Sequence, residues 1–109
     1  MEIMPTELKK KIDKKEDFIL VGVREAWERQ ICHIQGDRHI PLVRVPAEAK
    51  RLPKDRQIIT YCHSGNRSMH AAVFLRGHGF DAYSLKGGID DWAEMIDREM
   101  EKYGFVETL

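Results

Sequence analysis

The sequence predicts an α/β fold, with a central parallel β-sheet flanked by helices on both faces. Three observations point there. Phe18-Ile19-Leu20-Val21 is a short unbroken apolar run, the pattern of a strand buried on both sides. Gln57–Tyr61, with Ile58 and Ile59 at its centre, and Ala82–Leu85 read the same way. The stretches between these runs carry helical spacing, and parallel neighbours require crossovers of that length.

Each element follows from its residues. Pro5 suits the first position of a helix, and Leu8 and Ile12 share one face of a helix over residues 6–15. Residues 25–30 read as one or two helical turns, residues 32–41 as irregular, and residues 47–52 as a short helix stopped before Pro53. Gly65 interrupts the chain after the second strand. Residues 68–75 then form a largely buried helix ending at Gly77 or Gly79. Gly87-Gly88 makes a turn, and residues 89–103 are expected to form one long amphipathic helix. Trp27 and Trp92 are expected in or near the core.

Composition narrows the function. The chain has 109 residues, 42% hydrophobic and 33% charged, with only 8 Gly and 4 Pro, which excludes collagen-like and low-complexity classes. Length predicts a single domain over residues 1–109. The 18 basic residues cancel the 18 acidic ones, so no overall field favours nucleic acid or an anionic membrane. No apolar run approaches the roughly 20 residues that cross a bilayer, and no signal-peptide run opens the chain. The 2 cysteines cannot build a disulfide framework, so a cytoplasmic protein is expected. They and the 5 histidines show no zinc spacing, so no metal site is expected. The sequence gives no indication of oligomeric state.

Chemistry concentrates in Cys62-His63-Ser64-Gly65-Asn66-Arg67-Ser68, between a strand and a helix, where open α/β sheets bind ligands. A short loop there turns backbone N–H groups inward as a cup for an anion. Those amides, the helix dipole and the charge of Arg67 favour a thiolate at Cys62 over a thiol. Gly65 permits the tight ring, and Ser68 is placed to cap the helix. The plainer reading of Cys62 is a small buried hydrophobe. The plainer reading of Arg67, taken alone, is a surface residue.

This loop, preceded by Ile58-Ile59-Thr60-Tyr61, resembles the active-site loop of the rhodanese family of sulfurtransferases. The likeness continues through Ala71-Ala72, Leu75, Gly79-Phe80 and Leu85-Lys86-Gly87-Gly88-Ile89 with Trp92. Upstream, Leu20-Val21-Gly22-Val23-Arg24-Glu25, His33-Ile34, Gly36 and Ile40-Pro41 are similar to earlier motifs of that family. The resemblance implies a rhodanese-like fold in which Cys62 takes a sulfane sulfur from thiosulfate or a persulfide. The resulting Cys62 persulfide passes the sulfur to a small-thiol or protein acceptor. It implies a binding loop of His63, Ser64, Gly65, Asn66, Arg67 and Ser68, support from Arg24 and His33, and no cofactor. Two other readings stay open: a non-catalytic binding or sulfur-carrier module, and a cysteine-dependent phosphatase or arsenate reductase. Tyrosine phosphatases place five residues between Cys and Arg; here four intervene, and a narrower cup suits a single sulfur.

Several positions depart from that family's pattern. Gly22 stands where many relatives carry an acidic residue, and Cys32 and Gln35 replace the usual Gly and Pro around His-Ile. His63 and Ser64 give the loop little fixed positive charge, which favours a persulfide on a partner protein over thiosulfate as the donor. Cys32 is either a resolving thiol for Cys62 or a cysteine without a role. His63 is either an acid–base group or a shaper of the pocket. Lys9, Lys10, Lys11, Lys14 and Lys15, and the acidic residues of the last helix, are solvated faces or a docking surface for a charged partner.

Overall fold

The computed structural model describes residues 1–104. The elements run β1 (Glu2–Ile3), α1 (Pro5–Asp13), β2 (Phe18–Gly22), α2 (Ala26–Ile31), β3 (Arg38–His39), α3 (Val45–Glu48), β4 (Gln57–Tyr61), α4 (Asn66–Gly77), β5 (Ala82–Leu85) and α5 (Gly88–Met95). The sheet has five strands in the order β1-β5-β4-β2-β3, and every pair is parallel. β2 and β4 lie side by side at its centre, with Phe18 opposite Gln57 and Gly22 opposite Tyr61.

Alternation along the strands builds a core on each side of the sheet. Ile19, Val21, Ile58 and Ala82 point toward α3 and α4, where Val45, Ala71, Ala72 and Leu75 cover them. Leu20, Ile59, Tyr61 and Leu85 point the other way, toward Leu8 of α1 and Ile89 and Trp92 of α5. The α/β class and both-face layering predicted from sequence are what the structure has. No helix among the described residues is long and apolar enough to cross a membrane.

Three local expectations need correction. The stretch 32–41 is not wholly irregular: Arg38–His39 adds an edge strand, pairing Val21 with Arg38. The short helix near residue 47 is a broken one, with Val45–Glu48 flanked by 3-10 turns at Leu42–Arg44 and Ala49–Arg51. The last helix ends at Met95, well before Tyr103. Ile96 and Asp97 both donate their amides to the Trp92 carbonyl, closing the helix, and the Met100 amide turns back onto Asp97. Ile96, Met100 and Tyr103 still pack on the α1/α5 side of the sheet. The apolar spacing that suggests a continuing helix is thus preserved by a folded strap.

The strand order fixes where a site can form. From β2 the chain steps outward to β3, then returns to the far side of β2 to make β4 and β5. The direction reverses between β2 and β4, and clefts at the carboxyl ends of strands open at such a reversal. Arg24 follows β2 there and Cys62 follows β4.

Candidate active site

Cys62 continues the alternation of β4, so its side chain lies on the α4 side, beneath the start of that helix. Its sulfur accepts hydrogen bonds from the Gly65 amide at 3.1 Å and the Ser68 amide at 3.3 Å, and lies 3.4 Å from Ser68 Oγ. Gly65 adopts φ +117°, a left-handed conformation that turns its amide inward before α4 begins. Below the sulfur, Thr60 Oγ1 donates to the Ser68 carbonyl at 2.8 Å, and the Ser68 and Ser84 hydroxyls share a hydrogen bond of 2.7 Å. Ser68 is buried, and its hydroxyl also reaches the Gly65 carbonyl at 3.2 Å, closing the ring.

The outer side of the loop is fixed by α5. The Ile89 amide donates to the Cys62 carbonyl at 2.8 Å and the Asp90 amide to the His63 carbonyl at 3.1 Å. These are first-turn amides with no acceptor in their own helix, so the loop carbonyls cap α5 and face away from the sulfur. Such an approach requires Gly88. A side chain there would put Cβ 2.6 Å from the Cys62 carbonyl oxygen, nearer still to His63, at φ +61°.

Arg67 does not point alone at the loop. Its guanidinium forks onto Glu28 of α2, Nη1 to Oε1 at 2.5 Å and Nη2 to Oε2 at 2.7 Å. Glu28 is fully buried and also accepts from the Glu25 amide at 2.8 Å and the Tyr103 hydroxyl at 2.7 Å. Burial by itself would raise its pKa. The Arg67 fork, the Glu25 amide and the Tyr103 hydroxyl outweigh that and hold it at about 2. Arg67 is correspondingly raised, chiefly by its hydrogen bonds to Glu28.

Arg24 lies behind this pair, buried to 1% exposure. It donates to the Tyr103 hydroxyl at 2.9 Å and to the Cys32 carbonyl at 2.5 Å, and stands 5.3 Å from the centre of the Tyr61 ring. These contacts tie Arg24 to Tyr103 and to the end of α2, and none of these hydrogen bonds goes to Cys62. Tyr103 stacks on His63, ring centres 4.2 Å apart. His63 Nε2 stands 3.5 Å from the Asp90 carboxylate. Ser64 and Asn66 are exposed at the rim.

His33 stands apart. It is exposed and lines a groove of about 610 Å³ with Ile12, Trp92 and Met100, and makes no hydrogen bond to a loop residue among the described residues. Cys32 is half-buried and its thiol is pushed up by burial, with Arg24 opposing. Trp92 is buried as expected, but Trp27 is 50% exposed and lies edge-on to Tyr103 at 5.9 Å. It covers the strap and not the core, because α2 is a short helix at the rim of the sheet.

Sequence reasoning missed Glu28, Tyr103 and Asp90. Glu28 left one signal: it lies three residues after Glu25, where a carboxylate reaches back to the helix's first amide. It also missed how the space beside Gly22 is filled. A Cβ there would lie 3.1 Å from Asp37 Oδ2 and 3.1 Å from the Tyr61 ring. Asp37 accepts from the Tyr61 hydroxyl at 2.5 Å and pairs with Arg29 at 2.8 Å. The space beside Gly22 is thus occupied by the Asp37 carboxylate, from the loop before β3.

The pattern that defines the rhodanese-like domain matches residues 4–95. The chain is 36% identical over 104 residues to the probable adenylyltransferase/sulfurtransferase MoeZ of Mycobacterium tuberculosis, covering 93% of this chain and 26% of that protein. It is 33% identical over 90 residues to the thiosulfate sulfurtransferase GlpE of Pseudomonas putida, with 82% of each chain covered. The chain therefore spans about a quarter of the first relative and most of the second. The BH2092 protein of Bacillus halodurans superposes with a TM-score of 0.82 at 29% identity, over 98% of this chain and 86% of that one. Matched along most of its length, and carrying relatives named sulfurtransferases, the chain belongs to the rhodanese-like domain family.

Proposed function

We propose that the chain is a sulfurtransferase in which Cys62 carries the sulfur. The Cys62 thiolate attacks the outer sulfur of a sulfane donor. That donor S–S bond breaks, the donor leaves as sulfite or a thiolate, and a Cys62 persulfide remains. A thiol or other thiophilic acceptor, small or protein-borne, then removes the outer sulfur and returns the thiolate. The observation that carries the reading is the pair of amides, Gly65 and Ser68, aimed at Cys62 Sγ at 3.1 and 3.3 Å. Donors fixed on the sulfur before reaction stabilise the thiolate that begins the first half-reaction and that the second half-reaction releases. The loop residues 63–68 bind donor and persulfide, Arg24 braces the rim, and no cofactor enters the scheme. The reading extends to one domain over residues 1–109 in a reducing compartment such as the cytoplasm, where Cys32 and Cys62, neither in a disulfide, remain thiols.

Incubation with thiosulfate or a small-molecule persulfide, followed by intact-mass measurement, tests this. The expected product carries one added sulfur, removable by cyanide, and does not form on Cys62→Ser. Absence of an adduct with every donor refutes sulfur transfer and leaves a binding module.

A further inference from the structure

From the charges around the loop we infer that the sulfur donor is an organic persulfide, R–S–SH, and that Asp90 is the residue that selects it over thiosulfate. The inference rests on the reading of Cys62 as the sulfur carrier. Thiosulfate presents its outer sulfur to Cys62 while keeping a sulfonate beyond it, at the rim, where its charge needs cationic partners. Two permanent cations near the loop, Arg67 and Arg24, are already committed. Arg67 forks onto the buried Glu28 carboxylate, and Arg24 spends donors on Tyr103 and the Cys32 carbonyl. His63, the residue after Cys62 in the loop, faces the Asp90 carboxylate at 3.5 Å and is covered on one face by the Tyr103 ring. Asp90 is 47% exposed, so its charge also faces solvent beside His63.

An organic persulfide places no sulfonate at that rim. In the transfer, the Cys62 thiolate attacks the outer sulfur of R–S–SH, the donor S–S bond breaks, and R–S⁻ leaves. Cys62 becomes Cys62–S–SH, with the donor's proton still on the outer sulfur. The reaction calls on the Gly65 and Ser68 amides and on no rim cation.

The test is single-turnover loading of the full chain with thiosulfate and, separately, with cysteine persulfide at equal sulfane concentration, read as one added sulfur by mass, with Cys62→Ser as control. Missing charge-assisted partners for the sulfonate correspond to a persulfide preference of about tenfold to a hundredfold. Asp90→Asn is expected to shift the ratio of the two rates toward thiosulfate by about tenfold, the effect of removing one charge from the path of a dianion. The ratio cancels any general effect of the substitution on Cys62, and the wild-type ratio needs no variant. Equal or faster loading by thiosulfate in the wild type, or an unchanged ratio in Asp90→Asn, overturns the donor assignment and leaves sulfur transfer intact. No loading by either donor overturns both.

Discussion

Replacing Glu28 by Gln isolates the charge that holds the site together. The carboxylate accepts four hydrogen bonds, two from Arg67 and one each from the Glu25 amide and the Tyr103 hydroxyl. The amide of Gln offers one oxygen in place of two and leaves the Arg67 charge uncompensated. Because the fold lowers Glu28 from its ordinary 4.5 to about 2, the ionised form contributes about 3 kcal/mol. Arg67 keeps some access to water, which holds the loss toward the lower end of the about 3–5 kcal/mol seen when a buried pair is broken. The sign follows from the lowered value. The contribution is present above the unfolded-state value and is lost as pH falls through the folded one. Urea unfolding followed by circular dichroism is expected to show a gap of about 3 kcal/mol between wild type and Glu28→Gln near neutrality, shrinking toward zero near pH 2. A gap that stays constant across that range refutes the assignment of the stabilisation to the carboxylate charge.

Two further substitutions probe the loop and its support. Gly88→Ala drives a methyl into the carbonyls of Cys62 and His63 at a left-handed φ. A loss of about 2–5 kcal/mol in unfolding free energy is expected, with sulfur loading of Cys62 falling even where the chain remains folded. Gly22→Asp crowds a second carboxylate against Asp37 and Tyr61 and is expected to cost about 2 kcal/mol. Asp37→Ala in the same chain is expected to recover at least half of that, a coupling a double-mutant cycle measures and additivity would refute.

How much of this was legible in the sequence depended on the range of the interaction. β4 and β5 fall where their apolar runs begin and end, because strands buried on both faces leave no ambiguity of period. β3, two residues long, has no period to read and exists only because the edge of β2 is there to pair with. Trp27 and residues 96–103 show the converse. Apolar spacing reports that residues face a common surface, and a strap of turns satisfies it as well as a helix does. At the site, Cys62, Gly65 and Ser68 were readable because a strand–loop–helix junction is local. The Arg67–Glu28 pair spans 39 positions and depends on where the chain reverses direction in the sheet, which no local pattern states.

That contrast also bears on two segments that are distant in the chain. The loop at residues 62–68 and the Gly87-Gly88-Ile89 turn are one structural unit. The start of α5 has unsatisfied amides, and the loop has carbonyls that must face away from the sulfur if its amides are to face toward it. Each requirement is met by the other, at 2.8 and 3.1 Å, and only a residue without Cβ at position 88 lets the two backbones come that close. Arg67 belongs to a second unit of the same kind, in which Glu28 ties α2 to the start of α4. An arginine at the end of such a loop thus does two things that its presence in the sequence does not separate. It fixes the helix whose amides reach the sulfur, and its own charge is compensated by the Glu28 carboxylate.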